Sequence, residues 1–156
     1  MIKISTKSHD NGLLSHIRSV IGRFDTTVEV GYLDGAMHRP SITSGRSKPI
    51  TLKYLASIHE KGLGVPKRPF IEPAIEKNGR KYFAFISKEL TPIFRRRRTI
   101  NAAWEKVGTM AVADIQQYMV TARFTPLAPI TIKRKGSSKP LIDTGQMRQS
   151  ITYRVK

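Results

Sequence analysis

Four histidines, His9, His16, His38 and His59, are the imidazoles available for metal binding or proton transfer. No two of them stand three or four residues apart, the spacing that presents two ring nitrogens on one helix face. The chain has no cysteine, which removes disulfides, thiolate nucleophiles and thiolate zinc sites and fits a reducing compartment. Glu60 beside His59 has the residue types for acid–base work, but a single carboxylate at the end of a helix reads as a solvated surface group. Neither a phosphate-binding glycine loop nor a nucleophile elbow occurs, and Gly62-Leu63-Gly64 is too short to stand for one. The expectation is a protein that is not an enzyme, with no catalytic, cofactor-binding or metal-binding residues.

Leu141-Ile142-Asp143-Thr144-Gly145 resembles the loop in which aspartic proteases bring two carboxylates together to share a proton. Only residues 146–156 follow it, too few for the strands such a subunit needs. Asp143 is therefore read as a cap on a helix starting near Gln146, its oxygens accepting backbone N–H groups.

Charge offers more than chemistry. The chain of 156 residues holds 28 Lys and Arg against 11 Asp and Glu, a net charge of +17. Residues 1–78 carry 12 basic and 7 acidic side chains, whereas residues 79–156 carry 16 and 4. Such a surface attracts polyanions or acidic protein faces. Arg95, Arg96, Arg97 and Arg98 pack four guanidinium groups into one turn, suited either to polyanion binding or to a solvated connector. Lys133, Arg134 and Lys135, with Lys139 nearby, can follow a DNA backbone or meet an acidic partner. No aromatic residue interleaves these cations, so base stacking on single strands is not expected.

These groups need a frame. The length suits one domain, residues 1–156, and the 39% hydrophobic and 25% charged composition is that of a folded globular chain. The N-terminus lacks the apolar core of a secretion signal, and no stretch approaches the roughly 20 apolar residues that span a bilayer. A soluble, cytoplasmic protein is expected. Ile2 and Ile4 alternate as in a strand. Leu13, Leu14, Ile17, Val20 and Ile21 share a helix face ending near Gly22. Residues 26–32 read as a strand with Val28 and Val30 inward. Residues 34–50, rich in Gly, Pro and Ser, form a long segment suited to mobility or to ordering on a partner.

Leu52, Leu55 and Ile58 space a helix that Gly62 can end. Pro66, Pro69 and Pro73 enforce extended backbone. Helix resumes near Ala74 with Ile75, Tyr82, Phe83, Ile86 and Leu90 on its apolar face; Asn78-Gly79 threatens its first turn, and Pro92 limits its continuation. The clearest helix covers residues 101–122, where Trp104, Val107, Ala111, Ile115, Tyr118 and Ala122 form a stripe. It is about 32 Å long and should be the central packing element, with Trp104 in the core. A basic, flexible loop over 133–140 and a closing strand with Ile151, Tyr153 and Val155 follow. The fold class expected is α+β: a small, mainly antiparallel sheet packed by several helices, with extended loops or arms.

Taken in order, several of these passages resemble the virion morphogenesis or tail-completion family of long-tailed bacteriophages, also described as head–tail joining or neck proteins. Tyr54-Leu55-Ala56-Ser57-Ile58-His59-Glu60-Lys61-Gly62, Val65-Pro66-Lys67-Arg68-Pro69-Phe70 and Pro73-Ala74-Ile75 are similar to its helix, glycine and "PxRPF" passage. Val112-Ala113-Asp114-Ile115-Gln116 resembles its long helix. Pro126-Leu127-Ala128-Pro129, Thr131 to Ser137 and Lys139 to Ile151 resemble its C-terminal signature. Ile130, where a small polar cap is usual, and the arginine run depart from the pattern.

The resemblance implies a structural protein that completes the tail and joins it to the head, a neck or tail-terminator ring subunit. Its implied partners are copies of itself in a sixfold ring, the tail-tube and head-connector proteins, and packaged DNA in the channel, with no membrane. Its implied location is the virion, after assembly in the host cytoplasm. Within that picture Pro66, Arg68, Pro69 and Phe70 supply a rigid partner contact, because prolines lower the entropy lost on docking; a buried crossover strand is the alternative for the same residues. Lys133, Arg134 and Lys135 join them as partner-binding residues. The competing function class is a basic nucleic-acid-binding protein, suggested by charge alone.

Overall fold

A computed structural model describes residues 2–4, 26–33, 35–38, 50–94 and 99–156. The helix expected over residues 13–22, the arginine run 95–98 and most of segment 34–50 lie outside the described residues. The fold is α+β. Strands β1 (Ile2–Ile4), β2 (Val28–Gly31) and β3 (Thr152–Val155) form an antiparallel sheet in the order β1-β2-β3. Val30 is the register partner of both Ile2 and Tyr153, and Glu29 of both Lys3 and Arg154. The chain's two ends thus pair with the same central strand, and a backbone pair between Thr27 and Lys156 closes the ladder.

Five helices follow β2 among the described residues: α1 (Leu52–Lys61), α2 (Glu72–Phe94), α3 (Ile100–Thr121), α4 (Pro129–Lys135) and α5 (Gln146–Gln149). Thr51 and Thr99 cap α1 and α3, their hydroxyls accepting the amides of Tyr54 and Ala102, the role short hydroxyl side chains favour. α3 packs against α2 on one side and against β2 and β3 on the other. The expected stripe is its buried face through Trp104, Val107, Ala111 and Ile115, joined by Met119, while Tyr118 and Ala122 are only half-buried. Val28, Val30, Leu52 and Phe70 complete a single core with this face. Gly108 faces the ring of Tyr153 so closely that no side chain fits between them.

The differences from expectation have local causes. α2 begins at Glu72, two residues before Ala74, because its first amides find a carboxylate partner described below. It runs unbroken through Asn78-Gly79, where the Asn78 amide donates to the Ala74 carbonyl at 2.9 Å. It passes Pro92 and ends at Phe94, so the helix outlasts by only two residues the proline that removes one of its backbone bonds. The supposed basic loop over 133–140 begins as helix: Pro129 occupies the first turn of α4, a position that needs no N–H, and Gly136 closes the helix at φ 70°.

β2 is buried on both faces. Opposite Val28 and Val30, the Glu29 carboxylate is 4% exposed and takes the Lys156 ammonium at 2.9 Å. No described helix is long and apolar enough to cross a membrane.

Candidate assembly interface

The turn between α1 and α2 is built from its glycine outward. Gly62 adopts φ 75°, and the amides of Gly62 and Leu63 both donate to the Ile58 carbonyl, at 2.8 and 3.0 Å. This double closure ends α1 and reverses the chain. A Cβ on Gly62 would lie 3.0 Å from that of Lys67, so the returning strand approaches where only glycine leaves space. The Arg68 amide then donates to the His59 carbonyl at 2.8 Å.

That reversal carries Glu60 to the start of α2. One carboxylate oxygen accepts the amides of Phe70 at 2.9 Å and Ile71 at 3.2 Å, and the other accepts that of Glu72 at 3.0 Å. A carboxylate at a helix N-terminus satisfies amides that have no partner within the helix and opposes the positive end of its dipole. The expectation of a solvated Glu60 is therefore corrected. Its role depends on a partner twelve residues away, beyond any local pattern.

Arg68 joins the two halves of the chain. Its guanidinium is buried, donating from Nε to the Thr125 carbonyl at 2.8 Å and from Nη2 to that of Pro126 at 2.9 Å. Both acceptors lie in the stretch after α3, so the PKRPF passage and the C-terminal passage meet at this fork. Phe70 is fully buried. Of the two readings of residues 66–70, the structure takes the interior one for Arg68 and Phe70, because apolar area and a guanidinium fork are both used within the fold. Pro66 stays exposed and Pro69 half-buried.

Beyond the fork, Ala128 precedes α4 with no side-chain cap, and Ile130 is 71% exposed. Lys133 is exposed and Arg134 lies in the same helix. Lys135 turns back instead, its ammonium donating to the Lys139 carbonyl at 2.5 Å. Burial lowers the Lys135 pKa from its usual value, Asp143 opposes that shift, and Arg68 adds to it. Lys135 is thus more a brace of the 135–139 turn than an outward cation.

Asp143 itself is exposed and does not cap α5. Gly145, at φ 78°, occupies the cap position with no side-chain bond, and the Thr144 hydroxyl accepts the Gln146 amide at 3.4 Å. The cap that Asp143 was expected to supply is thus absent, and the helix starts from the left-handed backbone at Gly145.

His59 lies beneath this junction with a buried Nδ1 that has no partner. Burial, then the Arg68 and Lys135 charges, push its pKa down to about 4. Near neutral pH the imidazole is therefore uncharged between these cations. Elsewhere, Asp114 on α3 takes the Tyr82 hydroxyl at 2.7 Å and the Lys81 ammonium at 2.6 Å, fastening α2 to α3. Burial and Asp114 both raise the Tyr82 pKa.

Tyr32, Ala36 and Gln149 to Thr152 line a shallow open recess. Beside it the His38 amide donates to the Ile50 carbonyl at 2.7 Å, the Leu52 amide to the Ala36 carbonyl at 2.8 Å, and the Gln146 side chain to the Met37 carbonyl at 2.8 Å. Among the described residues no three His, Asp or Glu side chains converge as metal ligands.

No protein-family model matches the chain, and no curated protein or solved structure matches it either.

Proposed function

We propose that this chain is a structural subunit of a bacteriophage virion, which completes the tail and joins it to the head by assembling into a ring. The reading starts from the ordered resemblance of its passages to tail-completion proteins. One structural observation supports it: the Arg68 fork ties those passages into one frame, and that frame holds large apolar side chains in solvent. Leu63, in the turn after α1, is 54% exposed, and Ile130, in the first turn of α4, is 71% exposed. Exposed apolar groups together with exposed cations such as Lys67 and Lys133 suit binding to acidic neighbours that also offer apolar area.

On this reading the protein acts through its outer shape and charge, and its partners are further copies, the tail tube and the head connector. The test is reconstitution. Extracts lacking the chain should accumulate separate heads and tails, and purified protein should convert them to joined particles. Leu63→Asp with Ile130→Asp should melt like the parent yet fail to join. Normal joining by the double variant, or joined particles in its absence, would overturn the proposal.

The second reading, a nucleic-acid-binding protein, is favoured by the uneven charge, 16 basic against 4 acidic residues in 79–156.

A further inference from the structure

α2 is amphipathic in two senses. Its inner face, with Ala74, Tyr82 and Glu89, is buried. Its outer face carries Lys77, Arg80, Ala84, Ser87, Lys88 and Thr91, all exposed. Apart from the adjacent pair Ser87 and Lys88, these positions advance in steps of three and four residues, so they form one continuous ridge. From Lys77 to Lys88 the ridge rises about 16 Å, at 1.5 Å per residue. Among the described residues Lys77, Arg80 and Lys88 pair with no carboxylate, while Lys81 at the margin is neutralised by Asp114. The exposed carboxylates Glu72 and Glu76 stand at the other margin, at the N-terminal end, and the exposed ring of Phe83 stands on that same margin midway along the helix.

Between the cations lie only small or hydroxyl side chains. Ala84 leaves the helix backbone open to close approach, and Ser87 and Thr91 bring hydroxyls that can donate to phosphate oxygens. An acidic protein partner would call for an apolar or aromatic anchor at the centre of the contact; the row of cations itself carries none, and the exposed Phe83 stands at its margin. A row of phosphates needs only cations and donors.

We infer that the outer face of α2 binds the phosphodiester backbone of double-stranded DNA without reading its sequence, through Lys77, Arg80 and Lys88. The inference does not draw on the arginine run 95–98, which lies outside the described residues. Nor does it rest on the joining reading, since DNA binding is measured on the isolated protein and joining on particles.

The experiment is a titration of an arbitrary duplex of about 25 base pairs, followed by anisotropy from about 0.05 to 0.3 M salt. Two charge-matched variants are compared: Lys77→Gln with Arg80→Gln and Lys88→Gln, and Lys53→Gln with Lys61→Gln and Lys67→Gln on and beyond α1. All six residues are exposed. Each phosphate contact contributes about 0.9 to the slope of log affinity against log salt, so the α2 variant should lose about 2 to 3 of slope and on the order of 10²-fold in affinity near 0.1 M salt. The α1 variant should keep the parent slope. In the unsubstituted protein, bound duplex should shield Lys77 and Lys88 from acetylation and leave Lys53 and Lys61 reactive. Equal losses in both variants would mean diffuse attraction and overturn the inference. So would an unchanged slope in the α2 variant, or binding to polyglutamate with none to the duplex.

Discussion

Replacing Gly108 by alanine tests how α3 is seated on the sheet. In an exposed helix interior this change stabilises by about 1 kcal/mol, since alanine loses less backbone entropy on folding. Here the added Cβ would lie 2.5 Å from Cγ and 2.8 Å from Cε2 of the Tyr153 ring, and closer still to Cδ2. Ordinary carbon contacts are about 3.5–4.0 Å, so the ring must retreat by about 1 Å.

It has little freedom to do so, because β3 is held in register with β2 and the Tyr153 hydroxyl accepts from Thr109 at 3.3 Å. Overpacking of this kind costs about 1–3 kcal/mol and occasionally more. Set against the helix gain, Gly108→Ala should destabilise by about 1–2 kcal/mol, lowering Tm by roughly 2–8 °C for a chain of this size. With Tyr153→Ala as background the clash is gone, and the same change should stabilise by up to about 1 kcal/mol. The coupling in this double-mutant cycle is then about 2–3 kcal/mol, well above the error expected for independent sites. Urea and thermal unfolding followed by circular dichroism measure all four proteins. Stabilisation by Gly108→Ala in the parent, or an equal effect in both backgrounds, would refute the packing argument.

Two further outcomes follow from the α1–α2 junction. Glu60→Ala leaves three amides at the start of α2 without their acceptor, so unfolding stability should fall by about 2–3 kcal/mol; Glu60→Gln, with one accepting oxygen, should fall between Ala and the parent. Hydrogen exchange at Phe70, Ile71 and Glu72 should speed up in both, and unchanged protection there would discount the cap. His59 holds its proton less tightly when folded, about 4 against 6.5, so the unfolded chain binds more protons between those values. Stability should therefore rise with pH across that window and be lost as pH falls from 6.5 towards 4. Partial solvent access trims this to on the order of 1–2 kcal/mol. Chemical unfolding at a series of pH values should show this arm flattened in His59→Gln, and an identical arm in that variant would assign it to other groups.

Much of the fold is local and was legible as such. Apolar residues at three- and four-residue steps specify α1 and α3, because one turn of helix gathers them on one face. Alternation marks β2 and β3, and Gly62 marks the end of α1, because few other residues reach its left-handed backbone. The proline-rich passage and the concentration of charge beyond residue 79 are also plain in the chain itself.

The same passage shows where local reading stops. Arg68 and Phe70 have the types of an exposed contact, and nothing within a turn of them discloses that Thr125 and Pro126 wait with free carbonyls or that the core has space for the ring. Glu60 resembled a surface carboxylate until the reversal at Gly62 brought it under three amides. The ridge of Lys77, Arg80 and Lys88 is implicit in helical spacing, yet only the seating of α2 on α3 decides that this face, and not its opposite, meets solvent. Periodicity is a property of neighbours in sequence, whereas burial and hydrogen-bond partnership belong to whichever segments the folded chain brings together. The amino-acid order therefore determined the elements and their charge, and the tertiary structure decided which side chains are used up inside and which remain to bind.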